Sequence, residues 1–215
     1  MVTRIKIKDQ FARKYYMKAS QTLICIPDIS GFTKFMRDVD FKLSSQVIPA
    51  LLNKIIYSNE IGLKVSEIEG DAILFYRTGE LPSITNLIDQ CKHFYTEFYQ
   101  QMDELKKKHI HNDDVAKLPK ILGLKIILHF GQEIGMVPIG NNIKLMGEDV
   151  ITAHRLLKNN IDINEYILIS EDLLSEYKQH NINENFDWSE LKERSMDVEH
   201  LGKLKYHYID LRPLK

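Results

Sequence analysis

The sequence contains neither a glycine-rich strand-to-helix phosphate loop nor a P-loop pattern, which excludes the commonest nucleotide-binding folds. Cysteine is scarce. The two present, Cys25 in TLICI and Cys91 on an apolar helical stripe, read as buried thiols of a reducing compartment. No apolar run approaches membrane-spanning length. The amino terminus MVTRIKIKDQFARKYY mixes charge and apolar residues too closely for a signal peptide, so a cytoplasmic chain without a membrane partner is expected. Charge of one sign is also lacking: 29 Lys+Arg face 30 Asp+Glu, which leaves no global field to hold a nucleic acid. Internal repeats and low-complexity tracts are absent.

What remains is an ordinary globular composition, 44% hydrophobic and 27% charged over 215 residues, enough for one substantial core. Residues 1–20 read as an extension and 21–215 as a single domain. In the extension, Arg13, Lys14, Tyr15 and Tyr16 suggest a docking arm more than an anion patch. TLICIPDIS reads as a strand stopping at Pro27-Asp28, followed by a short helix. The recurrence of Val47, Ile48, Leu51, Leu52, Ile55 and Ile56 marks the buried face of a second helix, with Pro49 near its start. IGLKVSEIEGDAILFYRTG predicts two strands around a turn at Gly70-Asp71. A period of two places Glu67 and Glu69 on the face of Leu63 and Val65, an unexplained position for carboxylates. A long amphipathic helix begins at Ser83 and ends in Lys106-Lys107-Lys108. LGLKIILHF and EIGMVPIG predict two strands separated by Gly131-Gln132, with a turn at Gly140-Asn141-Asn142. A helix over GEDVITAHRLLKN, a strand YILIS, a helix EDLLSEYK and a strand LKYHYIDL complete the chain. His109 and His111 lie in a charged connector and read as a solvated loop, not a metal site.

Asp28 past the first strand and Asp71 at a hairpin turn are joined by a crossover that can return the chain beside its start. Such a pair suits a hard divalent cation that also takes phosphate oxygens. A turn aspartate is, however, more often structural. Behind Asp28, the segment Ser30, Gly31, Phe32 and Thr33 offers a close backbone approach and helix N–H groups for phosphate.

PDISGFTKF followed by EIEGDAILF resembles the paired signature of class III adenylyl and guanylyl cyclase catalytic domains. VIPALLNKII, GLKIILHFGQEIGMVPIG, GEDVITAHRLLKN and HLGKLKYHYIDL resemble further family segments in the same order, from about Thr22 to Leu211. The resemblance, to a divergent bacterial-type stand-alone member, implies an α/β (α+β) ferredoxin-like core, a mostly antiparallel sheet with helices packed on it. It implies a homodimer with shared sites, a nucleoside triphosphate substrate and two Mg²⁺ or Mn²⁺ per site. On that pattern Asp28, Asp71 and the Ile29 carbonyl would hold metal and Glu67 would read the base, while the partner chain would supply Lys144 at the other base-reading position and Arg155 to stabilise charge on the α-phosphate.

The sequence also departs from the family pattern. Ile151 stands where the ribose-orienting asparagine is expected. The triphosphate lysine has no clean match, with Glu199 and Leu201 in its neighbourhood and Lys203 a displaced candidate. Glu67 and Lys144 can equally be read as pairing with each other across the dimer interface. Two functions stay open: an impaired or atypical cyclase, or a non-catalytic cyclase-homology module that binds nucleotide or acts by dimerisation.

Overall fold

The computed structural model describes residues 19–139, 142–177 and 186–215. The docking arm read at residues 13–16 and the Gly140-Asn141 part of the expected turn lie outside the described residues. Strand β1 (Ser20–Ser30) sends Leu23, Cys25 and Ile29 into one core cluster and Ile24 and Ile26 into another on the opposite face. Burial on both faces is why TLICI shows no alternation. The strand does not end at Pro27-Asp28 but runs on to Ser30. Asp28 therefore stands inside it, opposite Ala72 on one side and Lys125 on the other. Pairing on the Ala72 side lapses at Ile26 and Pro27, where proline has no N–H to give, and resumes at Asp28.

Helices α1 (Phe32–Asp38) and α2 (Phe41–Tyr57) follow. Asp40 caps α2 by accepting from the Leu43 N–H at 3.3 Å, and the predicted stripe of Val47, Ile48, Leu51, Leu52 and Ile55 is buried. The helix continues through Pro49.

Strands β2 (Lys64–Glu69) and β3 (Ala72–Thr78) form the expected hairpin. Their register shifts between Val65 and Glu67, so that Val65 faces Phe75 while Glu67 faces Leu74. Directly opposed residues share a face, and Phe75 and Leu74 belong to opposite faces. The irregularity at Ser66 thus separates Glu67 and Glu69 from Val65 and corrects the unbroken period of two.

Helix α3 (Ile84–Lys108), capped by Ser83, packs Leu87, Cys91, Phe94 and Phe98 into the same cluster as α2. Cys25 and Cys91 are free and buried, as expected. One turn, α4 (Leu118–Ile121), leads into β4 (Gly123–Ile139). LGLKIILHF and EIGMVPIG are therefore not two strands but one, and the hairpin partner is β5 (Asn142–Met146). Gly131 does not turn the chain. A Cβ there would lie 2.5 Å from the Asp149 Cβ of α5 (Glu148–Leu156), so this glycine admits a helix to the strand.

Strand β6 (Tyr166–Ser170), helix α6 (Glu171–Glu176), β7 (Lys192–Val198) and β8 (Gly202–Asp210) complete the sheet. Its order is β2-β3-β1-β4-β6-β8-β7, with β5 on β4, and among the described residues only β4–β6 runs parallel. The unanticipated β7, KERSMDV, is a largely exposed edge strand whose charge carries no apolar alternation. The fold is the expected mixed α/β one. α2 and α3 cover one face, and Val150, Ala153 and Leu156 of α5 close part of the other over Ile24, Ile127 and Leu168.

Candidate functional site

Beside α5, on the face it covers only in part, lies a cavity of about 380 Å³. Asp28, Glu69 and Asp71 supply its carboxylates, while Lys125, His154 and Lys158 supply cationic or protonatable groups. Ile26, Ala72, Leu74 and Leu157 form the apolar part. The alternation of β1 aims Asp28 at this face. The Ile29 N–H donates to the Asp71 carbonyl at 3.0 Å and ties the hairpin turn to β1 beside it.

Burial pushes Asp28 up to about 6, with Lys125 pulling it down and Asp71 pushing it further up. Burial also raises Asp71. The Lys125 ammonium is 3.6 Å from Asp28 Oδ1 and donates to the Leu157 carbonyl at 3.4 Å. Two carboxylates held above their ordinary range are electrostatically unfinished, and an added cation relieves both. Among the described residues no group of three or more His, Cys, Asp or Glu side chains converges as a metal site. An ion at Asp28 and Asp71 would therefore need oxygens from water or a ligand, which is the habit of Mg²⁺. The residues present fit such an ion.

None of the other expected site residues lines this cavity. Ser30 donates from its hydroxyl to the Asn164 carbonyl at 2.6 Å. Gly31 has φ +82°, and a Cβ there would fall 1.9 Å from the Ile121 carbonyl oxygen, so packing against α4 already demands glycine. Phe32 packs on the core and Thr33 is exposed.

Glu67 and Lys144 meet within one chain, Nζ to Oε2 at 2.5 Å, which corrects their expected assignment to opposite sides of a dimer boundary. The hydrogen bond to Glu67 holds the Lys144 ammonium above its ordinary range. Ile151, 53% exposed, and Arg155 both face outward from α5, away from the aspartates of their own chain. Lys203 lines a different cavity with Thr152, Ser170 and Lys205.

Three cavity residues escaped the sequence reading as site candidates. Lys125 is a lone cation in an apolar strand, a signal that becomes legible only once its register opposite Asp28 is known. His154 and Lys158 look like ordinary polar helix residues. The seat of α5 is fixed by His129, fully buried on β4. Its Nδ1 is 2.9 Å from Ser170 Oγ, and its Nε2 is 3.6 Å from Asp149 Oδ1 in the first turn of α5.

A family model described as "Protein of unknown function (DUF2652)" matches residues 48–166. Uncharacterized protein Rv2561/Rv2562 of Mycobacterium tuberculosis is 27% identical over 150 residues, covering 70% of this chain and 67% of its own. Among solved structures, the adenylyl cyclase CyaB from P. aeruginosa matches with a TM-score of 0.66 at 13% identity, over 90% of this chain and 95% of that one. The guanylyl cyclase Cya2 gives 0.63 at 14% identity, over 90% and 94%. The guanylate cyclase domain of RhGC from Catenaria anguillulae, in complex with GTP, gives 0.58 at 17% identity, over 89% and 97%. The likeness is one of fold: this chain has the architecture of adenylyl and guanylyl cyclase catalytic domains. Among the described residues no helix is long and apolar enough to cross a membrane.

Proposed function

The chain belongs to the DUF2652 family, and we propose that it is a cyclase-like protein that binds a nucleoside triphosphate with divalent metal at Asp28 and Asp71. It would convert this slowly to a 3′,5′-cyclic nucleotide and pyrophosphate. The observation that carries the reading is the pair of partly buried, raised aspartates sharing one cavity with Lys125. Asp28 and Asp71, with the Ile29 carbonyl, would hold two Mg²⁺ or Mn²⁺ ions. Such ions supply charge stabilisation at phosphate oxygens.

The protein's own groups do the rest. Lys125 donates to a phosphate oxygen. Arg155 faces outward and serves the site of a partner copy, so the working unit is a two-fold homodimer. There it stabilises charge on the α-phosphate as the ribose 3′-hydroxyl attacks and pyrophosphate leaves. Glu67 accepts from the N1–H and exocyclic amine of guanine while Lys144 donates to O6. Ile151 gives the ribose no hydrogen bond, and loss of one oriented donor slows such reactions by roughly 10²–10³.

The second reading, a non-catalytic module that binds nucleotide or signals by association, is favoured by one observation. Glu67 and Lys144 satisfy each other and close the base-reading position. Both readings require metal-dependent nucleotide binding if a nucleotide is the ligand. A non-cyclisable triphosphate with Mn²⁺ should raise the melting temperature, and Asp71→Asn should remove most of the rise. Equal shifts in both proteins would make the aspartates structural.

A further inference from the structure

His154 and Lys158 sit where α5 ends, and both line the cavity of the aspartates in their own chain. The outward face of the same helix carries Ile151 and Arg155. One helix thus presents two functional faces. Among the described residues neither the His154 nor the Lys158 side chain has a hydrogen-bond or ion-pair partner, whereas the Lys125 ammonium, with one donor to spare for a phosphate oxygen, also holds Asp28 and the Leu157 carbonyl. Two nitrogen-bearing side chains thus share the cavity with three carboxylates. Divalent ions would largely cancel the carboxylates, which leaves a phosphate tail needing cations from the protein.

We infer that His154 and Lys158 form the polyphosphate-holding wall of this chain's own site, taking the place of a lysine on the last strand. The inference rests on the metal–nucleotide reading above. Glu199 and Leu201 occupy the neighbourhood of that expected lysine, and Lys203 lines another cavity. A histidine and a lysine at a helix C-terminus already complement the helix dipole, so both groups can be kept there in the empty protein and turned to an anion when one arrives. The ligand class is an inorganic or nucleotide polyphosphate. Its tail would be bound by each chain alone, while base and ribose are read by the partner copy.

The test is calorimetric titration of the full chain with inorganic tripolyphosphate and Mn²⁺. His154→Ala and Lys158→Ala should each weaken binding by about 5-fold or more, since hydrogen bonds to charged groups are strong but partly screened at the surface. Lys158→Arg should restore most of the loss, and Lys107→Ala, a charge removed at the far end of α3, should match wild type. Neither residue is core-buried, so circular dichroism spectra should be unchanged. Unchanged affinity in both alanine variants, or a loss confined to Lys203→Ala, would overturn the inference. So would binding of nucleoside triphosphate without binding of tripolyphosphate, which would leave the nucleotide reading standing. Failure of both ligands to bind would overturn the two together.

Discussion

Lys125 stands opposite Asp28 in the β1–β4 register with its ammonium 3.6 Å from the carboxylate, yet Asp28 remains raised to about 6. Burial outweighs the ion pair. Lys125→Met should therefore raise Asp28 further, because the lowering influence goes and those of burial and Asp71 stay. Carboxyl-carbon NMR titration reads this directly. An unmoved titration would mean that the two groups do not communicate.

A carboxylate raised on folding weakens the native state when ionised. Asp28 binds its proton more tightly folded than unfolded, so its contribution to stability is greatest below the unfolded value of 3.8 and declines as pH rises to about 6. Asp28→Asn should then stabilise the protein by about 1–3 kcal/mol at neutral pH and by little at pH 3.5. Urea unfolding at the two pH values checks it. Loss of stability at neutral pH would show that the Lys125 pair, not burial, dominates.

Asp149 has the opposite sign. The buried His129 imidazole, its Nε2 3.6 Å from Oδ1, and the N–H that Glu133 donates at 3.4 Å hold it below its ordinary value, so it stabilises the fold above pH 3.8, and that stability is lost as pH falls through the lowered folded value. Asp149→Asn should cost about 1 kcal/mol at neutral pH, and the gap from wild type should close in acid. A gap independent of pH would assign the cost to packing against Gly131 instead.

The turn pattern placed Asp71 correctly and a repeating buried face marked the stripes of α2 and α3, but the strand pattern stopped at Asp28, where β1 in fact runs on to Ser30. The sequence hid whatever depends on register or on a neighbour. Lys125 gains meaning only from the residue across the ladder. The irregularity at Ser66 inserts one residue that no propensity marks, and it moved two glutamates to the other face. Gly131 looked like a turn because the helix that needs its missing side chain comes later in the chain.

Ile151 and Arg155 share the outer face of α5, one turn apart. Ile151→Asn should therefore offer the ribose an amide beside Arg155 and raise cyclase activity by ~10-fold or more, since each ~1.4 kcal/mol regained at the transition state is worth that factor. Arg155→Ala in the same background should remove the gain. Activity unchanged by Ile151→Asn would move the impairment to the closed Glu67–Lys144 pair.

The measurement closest to the central claim is mass spectrometry of the pure protein incubated with each of the four nucleoside triphosphates and Mn²⁺. The account predicts a slow, purine-specific 3′,5′-cyclic product, abolished by Asp71→Asn. No cyclic product from any of the four, in wild type or Ile151→Asn, from protein whose melting temperature still responds to triphosphate and metal, would contradict the enzyme and leave the binding module.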